Sequence, residues 1–300
     1  MMAEVLEALR ILPNGVYADG TLGGGGHATA ILEASAPDGR LFGCDRDPAA
    51  VVAATARLAA FPGRWEVRQG NFTDLATWVP AGSLSGAILD LGVSSYQLDE
   101  AERGFGIKHD GPLDMRMDVS QGVTAADLVN QSEAEELARM FFELGGERAA
   151  RPLARAMVRR RQERPFERTA DLAGLVERIC PRHGRKTHPA TKVFQALRIA
   201  VNDELGALER GLAGMVSLLQ PAGRLVVITF HGLEDRLIKA FGRERTRDYE
   251  VEGEVDVPEL RVPRVPELRW VTRKALKPGP AELEANPRSR SAQMRVLEKL

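Results

Sequence analysis

Short apolar runs alternate with helical stretches from Val16 to Gly92, and this alternation constrains the fold more than any other feature of the chain. Residues 16–19, 40–44, 65–69 and 84–91 read as strands. Residues 28–34 and the alanine-rich 48–60 read as helices. Strands separated by helices cannot pair as hairpins and instead build a parallel sheet covered on both faces. Between about 108 and 191 the strand signal disappears. Arginine-rich helical segments take over at 124–130, 133–144, 147–164 and 169–179, followed by a basic loop at 181–189. Helices resume over 190–219. Residues 223–230 read as a buried fifth strand, and 268–274 and 294–299 as two more. Residues 248–266, rich in Val, Pro and charge, read as a flexible loop. The pattern predicts an α/β sheet domain, 1–107 and 201–300, interrupted by an all-helical insertion at 108–200.

Composition supports a globular chain. At 44% hydrophobic there is enough apolar material for a full core, which excludes disorder. A net charge of −1 excludes a uniformly basic nucleic-acid coat but not a basic patch on one face. The two cysteines, Cys44 and Cys180, are too few and too distant for a zinc site or a disulfide framework, so no metal is expected and a reducing compartment fits. No apolar run reaches the ~20 residues that a membrane helix needs. The opening residues read as an amphipathic helix with Val5, Leu6, Leu9 and Leu12 on one side, not as a signal peptide. A cytoplasmic location without membrane contact is expected.

The strongest local motif is Asp19-Gly20-Thr21-Leu22-Gly23-Gly24-Gly25-Gly26-His27, between a strand and a helix. Glycines let a ligand approach the backbone, and the helix that follows offers free amide donors. A dinucleotide loop places a pyrophosphate there. This loop carries an acid, Asp19, which suits a cofactor with a cationic amino-acid end. Asp45 closes the second strand, where a carboxylate can accept two ribose hydroxyls; it could equally be a helix N-cap before Pro48, although Asp47 can serve that purpose. Phe72, after the third strand, can pack on an adenine ring or in the core. Asp90 ends the fourth strand, where it can accept a hydrogen bond from a target amine or hold the cofactor.

At this point the sequence closely resembles the bacterial 16S rRNA cytosine-N4 methyltransferases of the RsmH (MraW) family. The resemblance spans nearly the whole chain. Beyond the glycine loop it rests on Asp45-Arg46-Asp47-Pro48, Leu89-Asp90-Leu91-Gly92-Val93-Ser94-Ser95, Arg103-Gly104-Phe105 and the run from Asp110 to Asp118. It continues with the runs His188 to Arg198 and Val201 to Leu205, then Thr229 to Arg236 and Asn286 to Ser291. The resemblance implies a Rossmann-like class I S-adenosylmethionine-dependent sheet, with Gly25, Gly26, His27, Asp45, Phe72, Asp90 and Gln97 contacting S-adenosylmethionine. It implies as substrate one cytidine in the decoding centre of 16S rRNA, methylated on N4 within the small ribosomal subunit, and leaves a homodimer open. The chain departs from the family pattern in three ways. Gly106 and Gly232 stand where serines are usual, Tyr96 replaces a common proline, and a His-x-Pro-Val-Leu-Leu stretch before the first helix is missing.

The insertion is the expected RNA-recognition domain. If 147–164 is one helix, Arg148, Arg151, Arg155 and Arg159 share a face, widened by Arg160, Arg161 and Arg164, and suit phosphate contact. A solvated helix face is the plain alternative. Arg155, Arg159, Arg198, Asn202 and His231 are the candidate substrate contacts, with Phe105, Phe230 and His231 as stacking partners for the target base. On the helix from residue 190, Phe194, Leu197, Val201 and Leu205 form a core stripe. Gln195, Arg198 and Asn202 lie beside it and could line the substrate cleft or tie the insertion in place. Three other classes stay open on the residues alone: a dehydrogenase, a same-fold methyltransferase acting on DNA or protein, and a non-catalytic RNA-binding assembly factor.

Overall fold

The computed structural model describes residues 1–300 except 183, 185, 186 and 254. His183, Arg185 and Lys186 of the expected basic loop therefore lie outside the described residues. The chain divides into two compact units, Met1–Gly92 with Leu205–Leu300, and Val93–Glu204.

The first unit holds a seven-stranded sheet. Its strands are β1 (Val16–Asp19), β2 (Arg40–Asp45), β3 (Trp65–Gln69), β4 (Leu84–Asp90), β5 (Leu219–Thr229), β8 (Leu268–Trp270) and β9 (Gln293–Lys299), in the order β3-β2-β1-β4-β5-β9-β8. β1 to β5 run parallel to one another, whereas β9 runs antiparallel to both β5 and β8. Alternate side chains enter two cores, as a two-residue period requires. Tyr17, Ile88, Val226, Ile228 and Val296 join one core with α1 (Met2–Leu9), α2 (Gly26–Ala34) and α3 (Pro48–Leu58). Ala18, Leu89, Leu225, Val227 and Leu297 join the other with α10 (Glu204–Leu218) and Ile238 of α11 (Gly232–Arg245).

The helical unit contains α4 (Ser95–Asp99), α5 (Ala125–Gln131), α6 (Ala134–Glu143), α7 (Ala150–Glu163), α8 (Thr169–Ile179) and α9 (Thr191–Asn202). They close around Val129, Leu137, Phe141, Leu153, Met157, Phe166, Leu172, Val176, Val193 and Leu197.

Several boundaries differ from the sequence reading, each for a local reason. The first junction between units falls at Gly92/Val93 and not at 107/108, because Val93, Leu98, Phe105 and Ile107 pack into the helical core. The second falls at Glu204/Leu205 and not at 200/201. Asp203, at φ 47°, breaks the long helix there, so the stripe from Phe194 does not run on to Leu205. Helix α1 ends at Leu9 with Arg10 in the left-handed region, which leaves Leu12 exposed and not part of its apolar face. The segment 248–266, expected to be a loop, contains a small antiparallel pair, β6 (Tyr249–Val251) with β7 (Arg261–Pro263). The sixth large-sheet strand stops at Trp270, short of 274. Cys44 is buried and Cys180 half-buried, and neither is in a disulfide. Among the described residues no helix is long and apolar enough to cross a membrane.

Candidate active site

In a doubly wound sheet, ligands bind outside the carboxyl ends of the strands where the strand order reverses. Here the chain runs outward from β1 to β3 and then returns to β4 on the other side of β1. Three of these strands end in an acid: Asp19 on β1, Asp45 on β2 and Asp90 on β4. Pairing of Asp19 with Ile88 sets Asp90 just beyond the end of β1.

Asp19 is almost fully buried. Its Oδ1 accepts the Thr21 amide at 3.0 Å, a local turn typical of aspartate, while its Oδ2 is buried with no hydrogen-bond partner among the described residues. Burial pushes the carboxyl up to about 6, opposed by His27 and the Thr21 amide and reinforced by Asp90 and Asp45. Thr21 also accepts the Asp90 amide on its hydroxyl at 2.6 Å, so one threonine ties the glycine loop to the end of β4. Asp45 accepts the Gly23 amide at 2.8 Å and the Asp47 amide at 2.9 Å, one on each oxygen. Burial still raises its carboxyl above the ordinary value. Asp47 accepts the Ala49 amide and is the N-cap of α3, which releases Asp45 from that role. His27 opens α2 with Nε2 3.4 Å from Asp90 Oδ2. Burial opposes the charged ring, but the Asp90 and Asp19 carboxylates outweigh it and lift the imidazole above its ordinary value.

Within the loop, a Cβ added at Gly23 or Gly24 would meet nothing within 4 Å, whereas one added at Gly25, at φ +76°, would fall 3.1 Å from the Ala54 Cα. The first two glycines leave the loop open to a ligand. The third packs α2 against α3 in a conformation that suits glycine. Phe72 lies in the core beside Gly20 and Gly211, where a Cβ would fall 2.7 and 2.4 Å from it. Pairing of Asp90 with Ile228 brings the end of β5 alongside that of β4. Phe230 packs near Gly92, and His231 opens α11 with Nε2 3.1 Å from Glu234 Oε1, close but not aligned as a hydrogen bond. Glu234 Oε2 accepts the Phe230 and His231 amides at 2.8 and 3.2 Å.

The helical unit carries the remaining predicted residues. Gln97 is buried in α4, and its side chain accepts the Ser94 amide at 2.9 Å in a reciprocal N-cap. Helix α7 starts at Ala150 and not at 147, so Arg148, though exposed, precedes it; Arg151, Arg155 and Arg159 are exposed on the helix. Arg160 and Arg161 do not widen that stripe. Arg160 stacks on Phe166, and Arg161 donates to the Val129 and Ser132 carbonyls at 2.9 and 2.6 Å. Arg198 is paired with Glu204 through two contacts of 2.7 and 2.8 Å. The Asn202 amide accepts from the Met117 amide at 2.8 Å and donates to the Met115 carbonyl at 2.7 Å. Both residues hold the loop and helix of their own unit, and Phe105 is buried in that unit's core. Sequence reasoning missed Thr21 and Glu234. The Asp-x-Thr turn and the three-residue spacing from His231 to Glu234 were the available signals.

A model of the MraW methylase family matches residues 1–300. The chain belongs to that family. It is 49% identical over 302 residues to a protein of Geobacter sp. strain M21, covering 99% of this chain and 96% of the relative. It is 48% identical over 305 residues to one of Symbiobacterium thermophilum, covering 100% and 95%. It is 50% identical over 309 residues to one of Syntrophotalea carbinolica, covering 100% and 96%. All three relatives are named ribosomal RNA small subunit methyltransferase H. The chain is thus a methyltransferase, and its methyl donor is S-adenosylmethionine. The residues of the edge fit that donor. The unpartnered Asp19 Oδ2 offers a buried anionic contact, Asp45 keeps a second lone pair on each oxygen, and Gly23 and Gly24 leave open space.

Proposed function

We propose that this chain methylates N4 of a single cytidine in the decoding centre of 16S rRNA, acting on the small ribosomal subunit in the cytoplasm. The observation that carries the substrate is near-half identity, over almost the full length of both chains, with proteins named for small-subunit rRNA.

In this reading Asp19 pairs with the ammonium end of the donor and Asp45 with the ribose hydroxyls. The Gly25 and Gly26 backbone and His27 border the donor, Phe72 meets the adenine, and Gln97 completes its contacts. Bound S-adenosylmethionine supplies a methyl group already activated by the sulfonium. Positioning therefore provides most of the acceleration. The cytosine amine is a weak nucleophile, because its lone pair is delocalised into the ring. Asp90 accepts a hydrogen bond from that NH2, draws the lone pair out of conjugation, and takes the proton released as the new N–C bond forms. The target base is unstacked to reach the site, with Phe230 and His231 beside it. Arg155 and Arg159 on α7 hold backbone phosphates and give the helical unit its part in RNA recognition. A second reading, that Asp90 only holds the donor, is favoured by its tether to the glycine loop through Thr21 and by its approach to His27.

The test is transfer of radiolabelled methyl from S-adenosylmethionine to small ribosomal subunits that lack the modification, with naked 16S rRNA and large subunits as controls. Label on N4 of one small-subunit cytidine is the expected result. Saturable donor binding without label on small subunits overturns the substrate.

A further inference from the structure

A second cationic site lies in the sheet unit, on side chains that the reaction above does not use. A cleft of about 570 Å³ opens between α11 and the outer strands β8 and β9. It is lined by Lys239, Arg243, Arg273, Lys274, Lys277 and Arg295, and no carboxylate is among its described lining residues. This charge density stands out in a chain whose net charge is −1.

The cleft has a built floor. Arg295 is only 9% exposed and is held by Asp235 through contacts of 2.6 and 3.4 Å, with Lys239 a further 3.5 Å from the same carboxylate. Arg295 also stands 5.8 Å over the Trp270 ring, which packs against Gly242 of α11. The rim is anchored too. Leu276 and Met294 exchange backbone hydrogen bonds of 2.8 Å, which fasten the loop bearing Lys274 and Lys277 to β9. Asp235 is thus committed to the floor. The four rim cations, Arg243, Arg273, Lys274 and Lys277, are exposed and have no acidic partner among the described residues. Four like charges held together without counter-charge repel one another, and a polyanion relieves that repulsion.

Register fixes which edge of the sheet the cleft occupies. Gln293 pairs with Thr229, so β9 begins where β5 ends; Trp270 is level with Leu297, four residues further along β9, and the chain then returns so that Leu276 pairs with Met294, level with Ile228 and Asp90. The rim loop bearing Lys274 and Lys277 therefore lies at the carboxyl edge that carries Asp90, and the cleft extends from it toward Arg243 in the last turn of α11. From β4 to β8 there are three strand spacings, about 14 Å in all. A nucleic-acid strand with its target base at Asp90 has flanking phosphates within that range.

We propose that this cleft binds backbone phosphates of the RNA segment flanking the target nucleotide and fixes the direction in which the strand crosses the sheet edge. This rests on the RNA reading of the preceding subsection. Lysines and arginines on phosphates position a strand without reading its bases.

The test is a fourfold variant of the full chain, Arg243→Gln, Arg273→Gln, Lys274→Gln and Lys277→Gln. It leaves the Arg295–Asp235 floor intact, and a Lys274→Gln, Lys277→Gln pair serves if the fourfold variant fails to fold. Affinity for naked 16S rRNA is measured across salt concentrations, alongside donor affinity and methyl transfer to small subunits. The expected result is RNA affinity lower by at least about tenfold, and a salt dependence shallower by about 0.7 in log–log slope for each phosphate that the variant no longer neutralises. Donor affinity and kcat at saturating RNA stay the same, and a variant exchanging Lys for Arg and Arg for Lys at the four positions keeps the parental slope. An unchanged slope in an active fourfold variant overturns the cleft and leaves the RNA reading standing. Loss of binding to phosphatidylglycerol vesicles with RNA binding unchanged overturns it in favour of a lipid surface. A parental chain that neither binds nor labels RNA removes both readings.

Discussion

The acids at the carboxyl edge of the sheet and the acids of the helical unit sit in opposite electrostatic settings. Asp19 is buried and Asp45 half-buried among other carboxylates and backbone amides, and both are pushed upward. Asp110 and Asp114 are each fastened to an arginine, Arg168 at 2.6 Å and Arg116 at 2.8 Å, and both are held down. For Asp114 burial works the other way, but Arg116 outweighs it. The helical unit uses these two acids as struts. The carboxyl edge of the sheet keeps Asp19 and Asp45 short of cations, at a cost in folding energy. Of these four acids, the two paired with arginine brace the helical unit, and the two short of cations stand at the edge where ligands bind.

The sharpest way to break this contrast is at Asp90. Asp90→Asn keeps the shape and removes the proton acceptor, so methyl transfer should fall by about 10²-fold or more with donor affinity unchanged. Equal loss of donor affinity and turnover would make Asp90 a donor-holding residue only.

Asp19→Asn comes next. Donor affinity should fall at least about tenfold by titration calorimetry. A carboxyl raised in the folded state contributes stability that is complete below its unfolded value of 3.8 and is lost as pH rises through about 6. The variant should therefore be more stable than the parent at pH 7, by an amount on the order of 3 kcal/mol, and the gain should vanish below pH 4. A variant less stable at pH 7 would mean that Asp19 is a strut like the others.

Asn202→Ala probes the helical unit. It strands the Met117 amide and the Met115 carbonyl, and should cost about 2 kcal/mol in denaturant unfolding with no change in donor affinity. Smaller again is Arg155→Glu with Arg159→Glu, which should weaken RNA binding by about tenfold without moving donor affinity. Unchanged RNA binding would reduce the stripe to a solvated face. The smallest effect belongs to Asp110→Asn. The Asp110–Arg168 pair is exposed and screened by solvent, so the variant should unfold in denaturant almost as the parent does. Any difference should be present above the ordinary aspartate value and lost as pH falls through the depressed one.

The parallel sheet was legible because its buried strands carry continuous apolar runs, such as Gly86–Leu89 within β4, and the edge acids because each ends such a run. What escaped was tertiary. Residues 249–251 and 261–263 carry Pro and charge and look like loop, yet they pair with each other. Helical spacing identified the exposed arginines of α7, but could not tell that Arg161 turns to cap two carbonyls of a preceding helix. Phe105 and Asn202 belong to conspicuous motifs, and their work is packing and bracing, which a motif does not distinguish from contact with substrate. The cationic cleft draws its residues from three segments between 239 and 295, so no local window contains it.

The position of β9 also bears on how the molecule is made. This strand lies between β5 and β8, inside the sheet and not at its margin, and it follows β5 by more than sixty residues in sequence. During synthesis the helical unit, drawn from one continuous stretch, can condense as soon as that stretch has emerged. The sheet meanwhile waits with an open flank on β5 until residues 293–299 arrive. Such long-range closure is slow, and an unpaired flank is prone to aggregation. Chains halted before residue 293 should therefore carry a folded helical unit beside an unfinished sheet, and should depend on chaperones in a way the finished protein does not.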